Sequence, residues 1–140
     1  MAAVIDAEGL VLGRLCAHVA KRLLNGEEII IVNAERSIIS GRRAERLEFY
    51  KHRRTRGASQ TKAKGPFYPR AADRILKRSV RGMLQYTKPR GRAAYRRLKV
   101  YIGTPKNLAG GKFETLESAK KPHLARYIYL DELAKEMGSA

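Results

Sequence analysis

The sequence predicts an α/β fold, and three patterns carry that expectation. The chain opens on a short apolar strand pattern, Val4-Ile5-Asp6-Ala7. An amphipathic helical pattern follows over residues 10–24. A continuous β-branched run, Ile29-Ile30-Ile31-Val32, comes next. Strand, helix and strand in that order make a βαβ unit, with parallel strands and a crossover expected to be right-handed.

Each element has its own reason. Over residues 10–24, Leu12, Leu15, Cys16, Val19 and Leu23 recur at helical spacing and share one face. Asn25-Gly26 supplies left-handed residues that stop a helix. The isoleucine run lacks polar alternation, so it reads as a strand buried on both faces. Ser37-Ile38-Ile39-Ser40-Gly41 predicts a short extended piece, with Ser40 as N-cap of a helix over residues 42–54. That helix has no clean apolar stripe. Arg42, Arg46, Phe49 and Arg53 share one side, and Arg43, Leu47, Tyr50 and Arg54 the next. Such a helix is expected to be held by a partner more than by a protein core.

Residues 55–69 contain Gly57, Gly65, Pro66 and Pro69, with Arg56, Lys62 and Lys64 among small polar residues. They predict a loop, loose when free and ordered on a polyanion. Over residues 71–84, Ala72, Ile75, Leu76, Ser79, Val80 and Met83 lie on one side of a helix. Arg74, Lys77, Arg78 and Arg81 lie on the other, spaced i, i+3, i+4 and i+7. Lys88-Pro89-Arg90-Gly91-Arg92 reads as a basic turn, and residues 93–97 as a short helix bearing Arg96 and Arg97. Leu98-Lys99-Val100-Tyr101-Ile102 alternates toward a strand. Residues 107–121 are mixed and glycine-bearing. Tyr127-Ile128-Tyr129 predicts a short strand, and residues 131–137 a helix with Leu130, Leu133, Ala134 and Met137 on one face.

A chain of 140 residues, 44% of them apolar, suits one domain over residues 1–140 with one core. Residues 42–70 form its basic helix and loop, and residues 107–140 its C-terminal segment. The single cysteine, Cys16, excludes an internal disulfide and suits a reducing compartment. The N-terminus does not read as a signal peptide, and no apolar stretch approaches the ~20 residues of a membrane helix. A soluble intracellular protein is expected.

Charge is the strongest signal. The net charge is +17, and residues 42–106 hold 21 basic and 3 acidic residues against 9 basic and 10 acidic elsewhere. Concentrating one sign opposes folding through self-repulsion, and a polyanion partner removes that cost. Arginine outnumbers lysine in this stretch, and its planar fork suits phosphate oxygens. An anionic membrane is a poorer fit, because the stretch lacks the apolar stripe of an interfacial helix.

Other motifs fail on inspection. Gly110-Gly111-Lys112-Phe113 resembles the end of a phosphate-binding P-loop. Lys106 and Phe113 stand where that pattern needs glycine and Ser or Thr. Gly9 and Gly13 make a GxxxG, best explained by close packing of a helix on the sheet. His18, His52 and His123 have no metal-ligand spacing. Cys16 projects from an apolar face and reads as a small core residue. Only Glu45, Glu48 and Asp73 lie within the basic stretch, so no carboxylate cluster suits a metal-dependent nuclease. No catalytic site, metal or cofactor is expected. Among the aromatics interleaved with the cations, Tyr95 and Tyr101 read as core, and Phe67-Tyr68 as candidates for stacking or wedging.

Val4-Ile5-Asp6-Ala7, Leu12-Gly13-Arg14-Leu15, Asn33-Ala34-Glu35, Ile39-Ser40-Gly41 and Val80-Arg81-Gly82-Met83-Leu84 follow one another in an order and spacing that resemble family thirteen of the large-ribosomal-subunit proteins. The resemblance runs over about residues 4–105 and is closest to the archaeal and eukaryotic branch. One departure stands out: the family continues Met-Leu with proline and a basic run, whereas Gln85-Tyr86-Thr87-Lys88-Pro89 follows here. The resemblance implies a three-layer α/β/α domain with a small, mostly parallel four-stranded sheet and a basic helical and loop extension. It implies no catalysis, and a cytoplasmic seat in the ribosome on large-subunit ribosomal RNA beside neighbouring ribosomal proteins. The residues expected to meet RNA are Arg42, Arg43, Arg46, Lys51, Arg53, Arg54, Arg56, Lys62, Lys64, Phe67, Tyr68, Arg70, Arg74, Lys77, Arg78, Arg81, Lys88, Arg90, Arg92, Arg96 and Arg97. The alternatives are an RNA-binding regulator acting outside the ribosome and a basic nucleic-acid-processing enzyme, the latter needing an acid cluster or metal.

Overall fold

Strand β1 (Ala3–Asp6) and strand β2 (Ile29–Val32) pair in parallel, with helix α1 (Leu12–Leu24) between them in the chain. The βαβ reading of the first third therefore stands. This is a computed structural model, and it describes residues 2–56, 66–120 and 123–138. The remaining elements are β3 (Ile38–Ser40), α2 (Arg43–Thr55), α3 (Ala72–Met83), α4 (Pro89–Arg96), β4 (Leu98–Val100), β5 (Tyr127–Tyr129) and α5 (Leu130–Glu136). Helices and sheet form a three-layer α/β/α arrangement.

The four-stranded expectation resolves into two sheets. One has three parallel strands in the order β1-β2-β4, and the other pairs β3 with β5 in antiparallel fashion. A fourth position on the parallel sheet is held by one residue. Glu114 bridges Ile5 on the outer edge of β1, accepting from the Asp6 amide at 3.0 Å and donating to the Val4 carbonyl at 2.8 Å. The edge of β1 is thus covered by backbone from the C-terminal segment, which satisfies its polar groups without a full strand.

The core is one cluster that spans the chain. It joins Ile5, Ile29, Ile31 and Leu98 of the sheet to Leu15, Val19 and Leu23 of α1, Ile75, Leu76 and Val80 of α3, and Leu130 and Leu133 of α5. The C-terminal segment contributes to this core through Ala119, Ile128 and Met137 as well. Periodicity over residues 107–121 could not show this, because Glu114 and Ala119 are held by backbone bonds to β1 and Val11 and not by a repeating apolar face.

Four local expectations change. Ser40 does not cap α2; Arg42 stands at the cap without a side-chain bond, and the Arg46 guanidinium donates to the Ser40 carbonyl at 2.8 Å. The basic turn at residues 88–92 is the opening of α4, with Pro89 in its first turn, where a missing N–H costs nothing. Met83 is exposed, since α3 ends there and Leu84 takes the core position. Gly9 precedes α1, and Gly13 is exposed with open space at its Cβ, so helix–sheet packing does not explain that pair. Packing does demand glycine at Gly91, where a Cβ would collide with the Gln85 carbonyl.

Cys16 is fully buried, as its face predicted, with its thiol directed at the Leu76 carbonyl at 3.9 Å. Burial pushes that thiol up from 9.0 to about 12 and raises the Tyr50 phenol as well. Folding favours the neutral thiol, so its contribution is intact below pH 9 and is lost as pH climbs from 9 toward 12. Denaturant titrations should lose up to ~1.4 kcal/mol per pH unit from this group in that window, and Cys16→Ala should remove that part of the slope. Leu133→Ala should cost about 2–5 kcal/mol in the same assay. A loss well under 1 kcal/mol would mean that the C-terminal segment is not part of the cooperative core.

Candidate nucleic-acid interface

Helix α3 divides its two faces as its spacing requires. Ala72, Ile75, Leu76 and Val80 are buried, while Arg74 is exposed and Lys77, Arg78 and Arg81 are half-buried. The half-burial has a cause: three of these four cations lie over tyrosine rings. Lys77 Nζ is 5.1 Å from the Tyr95 centroid, Arg78 Cζ is 5.4 Å from Tyr68, and Arg81 Cζ is 4.2 Å from Tyr86. Two further arginines join the same rings, Arg53 at 4.4 Å from Tyr68 and Arg92 at 5.9 Å from Tyr86.

A ring holds a guanidinium by its quadrupole and leaves the charge intact. A carboxylate would hold it more firmly and neutralise it. Among the described residues every ion pair lies outside α3 and α4, involving Arg22, Arg36, Arg42, Arg43 and Lys120. The central cations are therefore positioned but not cancelled, and Lys77, Arg78 and Arg81 keep their N–H donors unpaired among the described residues. Tyr95, expected in the core, is half-buried and meets Tyr86 edge-on at 5.4 Å, while Tyr101 is exposed beyond the end of β4. The Gln85-Tyr86-Thr87-Lys88-Pro89 departure is thus the turn that supplies the ring beneath Arg81 and Arg92, closed by a Lys88 amide bond to the Gln85 carbonyl at 3.0 Å.

Several of the expected cations have bonds inside the protein. Arg43 on α2 pairs with Glu132 at 3.0 Å and Glu136 at 3.2 Å on α5. Arg54 donates to the Met137 carbonyl at 3.2 Å, and Arg46 to Ser40. Arg97 donates to the Leu23 carbonyl at 2.7 Å, where a cation offsets the negative end of α1. Its Nε is buried with no partner among the described residues. Arg92 also bonds the Tyr86 carbonyl at 3.1 Å, and Arg42 lies 3.7 Å from Glu45. Helix α2 has no buried residue, as its pattern predicted, yet arginine tethers to α5 and partial packing of Leu47 and Tyr50 hold it on the protein. No sequence pattern pairs Arg43 with acids 89 and 93 residues away.

Lys51, Arg56, Arg70, Arg74, Lys88, Arg90 and Arg96 are exposed. Phe67 and Tyr68 part company: Phe67 is 71% exposed, whereas Tyr68 is half-buried between Arg53 and Arg78. Lys62 and Lys64, with residues 57–65 of the expected threading loop, lie outside the described residues. Among the described residues no group of three or more His, Cys, Asp or Glu gathers to hold a metal ion, and no helix is long and apolar enough to cross a membrane. His18 instead meets the Ser118 hydroxyl at 2.8 Å.

A small α/β/α protein with a helix face of aromatic-backed, uncancelled cations belongs to the class built to meet a polyanion. The comparisons with known proteins narrow that class. A family model described as Ribosomal protein L13 matches residues 1–107. Large ribosomal subunit protein uL13 of Methanosarcina barkeri is 50% identical over 139 residues, 97% of this chain and 97% of that protein. Its counterpart in Archaeoglobus fulgidus is 48% identical over 138 residues, covering 96% of this chain and 86% of the relative. The Methanocaldococcus jannaschii protein of the same name is 45% identical over 137 residues, 97% of each chain. This chain belongs to the ribosomal protein L13 family, and these relatives are archaeal, in keeping with the archaeal and eukaryotic branch that its sequence resembles.

The Arg43 tether is half-exposed on both sides, so water screens it. Replacing both acids, Glu132→Gln with Glu136→Gln, should cost less than about 1 kcal/mol of stability in thermal unfolding. It should also speed hydrogen exchange along α2, because that helix has no buried residue and would keep only the Arg46 and Arg54 bonds and the partial packing of Leu47 and Tyr50.

Proposed function

We propose that this chain is a structural constituent of the large ribosomal subunit, seated in the cytoplasmic ribosome on large-subunit ribosomal RNA and beside neighbouring ribosomal proteins. It performs no catalysis. It stabilises folded RNA during assembly and in the mature particle, by neutralising phosphates where RNA segments crowd together. The observation that carries this reading is the face of α3, where Arg74, Lys77, Arg78 and Arg81 stand without acidic partners among the described residues. Family membership and the names of the archaeal relatives support the same assignment.

Rigid helix-borne cations suit recognition of backbone and shape, since phosphates fix register and carry no sequence information. The exposed Arg70 before α3 and Arg90 and Arg96 on α4 add further cations in the flanking chain. Phe67 is the side chain best placed to stack on or wedge against a base. The whole chain, residues 1–140, acts as one domain in this reading, with the loop carrying Lys62 and Lys64 threading between RNA segments.

Two measurements test the proposal. In a sucrose gradient of cell lysate the chain should travel with the large subunit and resist a moderate salt wash. Finding it at the top of the gradient at low salt would rule the assignment out. Neutralising Arg74, Lys77, Arg78 and Arg81 together should flatten the slope of log affinity against log salt by roughly 3, because each phosphate left unneutralised takes away about 0.7–0.9. An unchanged slope would remove α3 from the interface.

A further inference from the structure

We propose that the cleft between α2 and α3 seats a single unpaired nucleotide of the RNA, a proposal that rests on the reading that this chain docks on large-subunit ribosomal RNA. The cleft encloses about 330 Å³ and is lined by Tyr50, Arg53, Tyr68, Ile75, Arg78 and Gly82, among others. That volume falls in the range of pockets that take a small ligand. Its lining is chemically divided. Ile75, 3% exposed, and the half-buried Tyr50 form an apolar wall suited to a base. Arg53 and Arg78 converge on the Tyr68 ring, at 4.4 and 5.4 Å from its centroid.

Two like charges brought to one ring repel each other. At the other ring that meets two cations, Tyr86 beneath Arg81 and Arg92, Arg92 donates to the Tyr86 carbonyl at 3.1 Å. Here neither arginine has a carboxylate or hydrogen-bond partner among the described residues. An anion bridging the two guanidinium groups relieves the repulsion, and a phosphate oxygen fits their forks.

Gly82 is the second observation. It lies in the last turn of α3 without a left-handed backbone, and a Cβ there would meet nothing within 4 Å. Neither turn geometry nor internal packing calls for glycine, and glycine weakens a helix relative to alanine. A bare backbone on the rim of the cleft is explained by an outside group that comes close to it. The recess cannot take the flank of an RNA duplex. It can take a nucleotide splayed out of the stack, its base against Ile75 and Tyr50 and its phosphate between Arg53 and Arg78. The remaining cations of α3, exemplified by the exposed Arg74, meet ordinary backbone.

The test uses the full chain and in vitro transcribed large-subunit ribosomal RNA. Gly82→Leu adds bulk at the rim, keeps every charge and favours the helix, so its Tm should match or exceed that of the wild type. Its Kd for the RNA should nevertheless rise about tenfold, the scale on which one specific interaction counts. Zero-length ultraviolet cross-links from Tyr50 and Tyr68 of the wild type should map to one nucleotide that has no base-pairing partner. Wild-type affinity in a folded Gly82→Leu protein, or cross-links spread over paired nucleotides, would overturn the cleft proposal alone. The cross-link map decides the matter if Gly82→Leu does not fold. Failure of the wild type to bind the RNA at all would overturn the ribosomal reading as well.

Discussion

Helix α3 must satisfy two environments that oppose each other, and the rest of the molecule is arranged around that constraint. Its buried face, Ala72, Ile75, Leu76 and Val80, completes a core shared with α1, the parallel sheet and α5. Its other face carries four cations within three turns of helix. The apolar burial must outweigh the repulsion, or the helix will not form on the protein without its partner. The low-charge first third supplies much of the necessary surface, because the buried face of α1 and the whole of β2 are apolar.

How the cations are held follows from the same constraint. Carboxylates would stabilise them and cancel them together. Tyrosine rings orient Lys77, Arg78, Arg81, Arg53 and Arg92 and leave their charge available. Acids serve instead the arginines that hold the fold, such as Arg43 against Glu132 and Glu136 and Arg22 against Glu27 and Glu114. The molecule thus contains two populations of arginine with different jobs. Arg46, Arg54 and Arg97, which donate to main-chain carbonyls, belong with the structural group.

The C-terminal segment supplies partners for the structural group. It brings Glu114 to the edge of β1, β5 to β3, and α5 beneath α2. The family model stops at residue 107, but the archaeal relatives align over nearly the whole chain. That agrees with a fold in which Ile128, Leu130 and Leu133 are fully or almost fully buried.

The sequence by itself determined the βαβ start, the two-faced α3, the short strand at Tyr127-Ile128-Tyr129, the burial of Cys16 and the family. These rest on local periodicity, on charge density and on contiguous motifs, all of which survive in one dimension. Tertiary structure alone decided which cations remain uncancelled. Arg43 and Arg53 are equivalent in composition and lie on one helix, yet one meets acids of α5 and the other a tyrosine beyond the loop. The three-stranded sheet with its one-residue extension at Glu114 was likewise invisible, because a single bridging residue has no period. An ion pair or a ring contact depends on the distance between side chains, and the acids that hold Arg43 stand 89 and 93 residues away in sequence and are brought to it by the packing of the core.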